Sequence, residues 1–129
     1  MLPLCQSEGI GVIPWSPLAR GRLARPWRTE TTKRFETDQF GTKLYSQSEE
    51  ADRKIVDRLG ELSDRRGVAR AQIALAWMLG KPSITAPIVG ATQPNHHQDA
   101  VAALSLRLSP EEITALEAFY IPHPILGFS

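Results

Sequence analysis

Cysteine occurs once, at Cys5, so no disulfide can form within the chain, and a reducing compartment is the expected setting. No apolar run approaches the roughly 18 residues that a membrane helix needs, and the residues after Met1 carry neither the basic nor the long apolar stretch of an export signal. Neither sign of charge is in excess. Fifteen basic residues face fourteen acidic ones for a net charge of +1, which argues against a nucleic acid or a membrane surface as the main partner. Internal repeats and low-complexity tracts are missing as well. What is there, 42% hydrophobic and 22% charged residues in a chain of 129, is the composition of one globular domain with the cytoplasm as its default location.

Metal and acid–base signatures are also thin. His96 and His97 are neighbours, so on a helix they diverge by about 100° and chelate poorly; no metal site is expected. The acidic pairs Glu49-Glu50 and Glu111-Glu112 stand at helix starts, where the helix dipole favours them, rather than as a catalytic dyad. Cys5 reads as a small buried apolar residue with no activating partner.

Taken in order, the first eight residues predict the end of a helix stopped by Gly9. Ile10-Gly11-Val12-Ile13-Pro14-Trp15 predicts a short buried strand ended by its prolines. Residues 16–27, with two prolines, a glycine and several arginines, form a long loop, and 28–47 continue it without a period. A helix follows from Ser48 to about Arg66, with Ala51, Ile55, Leu59 and Leu62 on one face and Gly67 closing it. The next helix, about Ala69 to Leu79, is apolar nearly all round and should be buried, with Trp77 in its core face. Ser109-Pro110-Glu111-Glu112 is a capping box opening a helix with Ile113, Leu116 and Phe119 on a common face. The ending Tyr120–Ser129 is too apolar to be left in solvent.

The stretch Ile84 to Asp99 carries the main functional signal. An apolar run predicts a second buried strand, Gly90 permits a sharp turn or close approach, Thr92 can cap the next helix, and Pro94 suits its first turn. That helix is expected from about Pro94 to Leu104. Such a strand–glycine–helix junction gathers backbone N–H groups and binds phosphate well; an ordinary αβ link has the same pattern. Two strands cannot form a covered parallel sheet alone, so the chain reads as a piece of a larger α/β fold.

Three segments, Ile10–Leu23, Ala71–Leu79 and Pro87–Leu104, together resemble the C-terminal part of the aldo-keto reductases. The run Pro14-Trp15-Ser16-Pro17-Leu18-Ala19-Arg20-Gly21-Arg22-Leu23 and the ending Pro122-His123-Pro124…Gly127-Phe128 look closest to a bacterial branch. The resemblance implies the end of a (β/α)₈ barrel covering residues 1–129, with 10–14 as strand seven, 84–89 as strand eight, 69–79 as the seventh barrel helix, and an extra helix from Ser109 before the tail. Barrel sites lie at strand C-termini, with phosphate sites after strands seven and eight.

By resemblance, Trp15 would stack beside a nicotinamide ring. Ser16, Leu18 and Gly21, in the loop that also holds Pro17, would line the pyrophosphate, with Arg20 or Arg22 adding charge. Gly90 and Thr92 would meet the adenosine phosphate region, and His96 and Asp99 the adenine and its ribose. NADP(H) is the implied cofactor. NAD(H) stays open because Gln93 stands where relatives usually carry arginine, and an amide cannot pair with a 2′-phosphate as a guanidinium does. The family's catalytic Asp, Tyr, Lys and His come from the first half of the barrel, so none is assigned here, and neither Tyr45 nor Tyr120 has the family's catalytic context.

The resemblance thus implies the cofactor-binding part of an enzyme that reduces an aldehyde or ketone with NADPH, inactive by itself. It would pair with the missing N-terminal half or self-associate. A nucleotide-binding module without chemistry and a structural remnant are the other two classes.

Overall fold

The computed structural model describes residues 1–27 and 48–122. The expected irregular excursion over 28–47, with Arg28 and Tyr45, and the tail from His123 onward lie outside the described residues.

Helix α1 spans Leu2–Ser7, and Gly9 follows it in the left-handed region (φ 65°). The N–H of Ile10 bonds to the carbonyl of Cys5 at 2.8 Å, closing the helix as its glycine predicts. Cys5 is half-buried and free, where a buried position is expected.

Helix α2, Glu49–Arg66, opens with three acidic residues in its first turn and closes with Arg65 and Arg66, matching the helix dipole at both ends. Gly67 (φ 63°) ends it; the N–H groups of Gly67 and Val68 bond to the carbonyls of Asp64 and Ser63 at 3.3 and 3.2 Å. Its inner face is Ala51, Val56, Leu59 and Leu62. Val56 takes the buried place expected of Ile55, which is only half-buried. Helix α3, Arg70–Leu79, buries the four consecutive residues Ile73, Ala74, Leu75 and Ala76. A helix sunk on all sides follows from its unbroken apolar sequence.

Helix α4 covers Pro94–Ala102 and has no buried residue. Helix α5 covers Pro110–Glu117 with the complete capping box: the Ser109 hydroxyl accepts from the Glu112 N–H, and the Glu112 carboxylate accepts from the Ser109 N–H at 2.8 Å.

The core lies between helices. Leu59 and Leu62 of α2, Ile73 and Ala74 of α3, and Leu116 of α5 form it, flanked by Leu18, Leu23, Val68, Trp77, Leu106 and Leu108. Each such aliphatic side chain contributes roughly 1.5–3 kcal/mol by leaving water. Charged ties cross the outside of the same helices. Arg66 donates to both carboxylate oxygens of Glu112, with Nε to Oε1 at 2.8 Å, and Lys81 and the Trp77 indole N–H both donate to Oε1 of Glu117. The hydrogen bond from Arg66 holds the Glu112 carboxyl below the ordinary carboxylate range, and that from Lys81 does the same for Glu117. Trp77, expected in the core, is half-buried, with its ring under the Lys81 ammonium at 4.6 Å.

The two expected strands are the main correction. Among the described residues no strand forms; residues 10–15 and 84–89 run parallel with one bridge, between Trp15 and Ile88. Pro14 and Pro87 each lack the N–H that a ladder needs. The bonding is accordingly one-sided. Thr85 and Ile88 N–H groups donate to the carbonyls of Val12 and Pro14, each at 2.9 Å. The Val12 N–H goes instead to the Thr85 hydroxyl at 3.0 Å. Nor are the runs buried: Ile13 and Trp15 are each 62% exposed and Ile88 53%. Apolar residues here form a face rather than a core.

Candidate functional site

The parallel bridge brings together the loops that leave its two segments, one beginning at Ser16 and the other at Gly90. The first is wound tightly. Ser16 (φ 53°), Ala19 (φ 47°) and Arg20 (φ 57°) all occupy the left-handed region, followed by Gly21 at φ 91°. Non-glycine residues pay roughly 1–3 kcal/mol each for such conformations, so something must hold them. Short bonds do part of it: the Ala19 N–H reaches the Ser16 carbonyl at 3.0 Å, and the Gly21 N–H the Leu18 carbonyl at 2.9 Å. The Ser16 hydroxyl accepts from the Arg20 N–H at 3.3 Å. Packing does the rest, with Pro17 buried and Leu18 and Leu23 against the helical core. The turn continues as a 3₁₀ segment, Ala19–Ala24, kinked at Arg20 and Gly21.

The arginines of this loop fold back on it. The Arg22 guanidinium stands over the Trp27 ring at 5.2 Å, and that of Arg25 lies against Gly21. Trp15, ahead of the turn, projects into the open.

The second loop is exposed from Gly90 to Gln93. Gly90 does not adopt a positive φ, so the sharp turn expected of it is not the reason for a glycine there. An added Cβ would meet no atom within 4 Å, so no packing contact among the described residues demands a glycine there either. The helix cap is corrected by one residue. Gln93 is the N-cap of α4, with no side-chain capping bond, and Pro94 is at the first position as expected. Thr92, expected to cap, instead brings its hydroxyl to 3.4 Å from Nδ1 of His96. One turn further, the Asp99 carboxylate accepts from Nε2 of Gln72 on α3 at 2.7 Å.

Trp15, Ser16, Pro17, Leu18, Arg20 and Gly21 therefore lie on one loop, and Gly90, Thr92, Gln93, His96 and Asp99 on the other, joined at the bridge. The left-handed run at Ser16 and Ala19 carries no local signal in the sequence, since neither residue favours that region; only Gly21 announced it. The Gln72–Asp99 bond also went unread. A separate cavity of about 500 Å³ opens between the 3₁₀ segment, α2, α3 and α5, lined by residues such as Leu23, Trp27, Ile55, Met78 and Lys81. Of the residues expected around the cofactor, Pro17 and Arg22 border it. Among the described residues no three His, Cys, Asp or Glu side chains gather to hold a metal ion, and no helix is long and apolar enough to cross a membrane.

Comparison with known proteins completes the description. Residues 1–121 match the model of the aldo/keto reductase family. The chain is 44% identical over 126 residues to a versiconal hemiacetal acetate reductase of Aspergillus parasiticus, covering 97% of this chain and 36% of that protein. The fold resembles a thermostable aldo-keto reductase solved with the inhibitor epalrestat, at a TM-score of 0.60 and 26% identity over 92% of this chain and 33% of that one. It also resembles a glycerol dehydrogenase from Gluconobacter oxydans, at a TM-score of 0.71 and 22% identity over 100% of this chain and 41% of the other. These neighbours are barrel proteins, of which the chain matches a part. It spans about a third of the length of the curated relatives it matches. Those relatives are fungal, whereas the sequence resemblance pointed to a bacterial branch. The match over 121 residues and the shared fold lead to one conclusion: the chain belongs to the aldo/keto reductase family.

Proposed function

We propose that residues 1–129 are the cofactor-binding C-terminal part of an aldo-keto reductase barrel, a cytoplasmic enzyme that reduces an aldehyde or ketone with a nicotinamide dinucleotide. The observation that carries this reading is the Trp15–Ile88 bridge, which sets the two expected cofactor loops side by side. The donor chemistry fits the group. Ser16 and Thr92 offer hydroxyls, the turn at 16–21 is held in a fixed shape by its buried anchors, and the uncapped start of α4 favours an anion. Room for close approach exists at Gly90.

The dinucleotide would supply the hydride. This chain's residues would bind and orient it: Trp15 beside the nicotinamide ring, residues 16–21 along the pyrophosphate, and residues 90–99 around the adenosine. Carbonyl reduction also needs an acid that protonates the oxygen as hydride arrives, and we assign none to this chain. The carbonyl compound and the acid would meet at residues of the barrel's first half. The apolar face of Ile13, Trp15, Ile88 and Val89 is the surface that half would cover.

Mixing this chain with the N-terminal part of the Aspergillus parasiticus reductase, and following the nicotinamide absorbance with an aldehyde or ketone, tests the reading. Turnover by the mixture, with none by either part alone, is the expected result. Steady turnover by this chain alone, with contaminating reductases excluded, overturns it.

A further inference from the structure

Away from the junction of the two loops, the cavity of about 500 Å³ lies between the 3₁₀ segment, α2, α3 and α5. Among the described residues, Trp15, Ser16, Gly90 and the residues of α4 do not border it. Its floor is the helical core, because Leu59, Ala74 and Leu116 belong both to its lining and to the buried cluster. Its walls are pinned as well. Lys81, just past α3, donates to Glu117 of α5, and Arg66 of α2 donates to Glu112 of α5. Protein interiors keep few voids larger than a water molecule, and an apolar one left unfilled costs stability in proportion to its volume. The volume here falls within the range of small-molecule sites, roughly 300–1,000 Å³.

The lining decides which class of molecule fits. Two indole rings, Trp27 and Trp77, contribute to it beside Leu23, Ile55 and Met78. Such rings favour stacked or edge-on contact with another aromatic system. The charged groups at the border are already matched. Lys81 lies over the Trp77 ring and donates to Glu117, whose Oε1 also accepts from the Trp77 indole N–H at 2.8 Å. Asp52 accepts from the Ser48 hydroxyl at 2.8 Å, and the Arg22 guanidinium stands over Trp27. A charged ligand would displace one of these partners or be buried without one, which is unfavourable. An uncharged ligand leaves all of them in place.

We propose that this cavity is a binding site for an uncharged aromatic molecule of about two or three rings, separate from the junction of the two loops. The body of the ligand lies among Trp27, Trp77, Ile55 and Met78. Pro17 and Ala19 belong both to the cavity wall and to the strained turn, so an occupant also braces that turn.

Titration of the full chain with N-phenylnaphthylamine, an uncharged fluorophore that brightens on leaving water, tests this. One site per chain with a dissociation constant of about 10–100 µM is expected, the range for a ligand of roughly seventeen non-hydrogen atoms. The anionic anilinonaphthalene sulfonate should bind about tenfold more weakly or not at all. Ile55→Trp, which fills the cavity, should weaken N-phenylnaphthylamine by about tenfold or more with the far-UV signal kept. Should that variant fail to fold, Ile55→Asn should weaken it too by placing an amide in the wall. Ile13→Lys/Ile88→Lys, on the exposed apolar face, should leave the affinity unchanged. Absent or non-saturable binding, binding that the Ile55 variants leave intact, or binding lost in the double lysine variant overturns the site. A sulfonate that binds as tightly overturns the uncharged class. Binding that appears only after residues 123–129 are removed means that the chain's own C-terminal segment takes the cavity, and overturns the site as well.

Discussion

Replacing Gly60 by alanine should destabilise this protein although the position lies inside an α-helix. In an ordinary helix interior, glycine to alanine stabilises by about 1 kcal/mol, because glycine carries the larger conformational entropy. Gly60 sits within α2 on its buried side. An added Cβ would stand 2.0 Å from Nη2 and 2.5 Å from Cζ of Arg70. The guanidinium uses that gap to reach across from α3 and donate to the Val56 carbonyl at 2.8 Å. Expelling it forfeits a charged hydrogen bond worth about 1.5–3 kcal/mol. Subtracting the roughly 1 kcal/mol of helix propensity leaves a net loss of about 0.5–2 kcal/mol. The sign reverses once Arg70 is gone: in an Arg70→Ala background, Gly60→Ala should stabilise by about 1 kcal/mol. Urea titrations followed by far-UV circular dichroism on the four members of this cycle measure the coupling directly. A Gly60→Ala chain more stable than the parent with Arg70 in place would refute the argument.

Other consequences can be checked alongside. Glu112 and Glu117 have carboxyls held below their ordinary value of 4.5 by Arg66 and Lys81, so their contribution is complete above that pH and lost as pH falls through the lowered values. Thermal melts from pH 7 downward should show the loss, and Glu117→Gln should shrink it; an unchanged acid limb would contradict the assignment. The exposed face at Ile13, Trp15, Ile88 and Val89 should make the chain associate with itself, with roughly 1.5–3 kcal/mol available for each large side chain covered. Sedimentation should therefore depend on concentration, less so in Ile13→Lys/Ile88→Lys; a strictly monomeric parent chain would speak against it. Gly90→Val should leave the helical melt unchanged, since nothing lies within 4 Å of a Cβ placed there, yet weaken dinucleotide binding by filling the close-approach space. Titration with unimpaired affinity would remove Gly90 from the site.

Legibility in the sequence followed the range of the interactions. The capping box at Ser109, the stops at Gly9 and Gly67, and the buried all-apolar helix around Ile73 were readable because each is decided within about one helical turn or by a continuous run. Where neighbours further along the chain decide, the sequence alone was insufficient. Residues 10–15 and 84–89 have strand composition, but how far they pair depends on which N–H groups meet which carbonyls, and prolines on both sides reduced the pairing to one bridge. The α4 cap moved from Thr92 to Gln93 because a polar loop offers several equivalent starts, and Thr92 turned toward His96. Left-handed geometry at Ser16 and Ala19 runs against local preference, and it takes the burial of Pro17 and the packing of Leu18 and Leu23, beside the short bonds of the turn, to hold it. Gln72 and Asp99 stand 27 residues apart and are joined only when α3 and α4 pack. Local pattern determined the helices and most of their ends; the side-by-side loops and the fixed carboxylate were decided by tertiary contact, because hydrogen-bond partners and strain are settled by whatever packs against them.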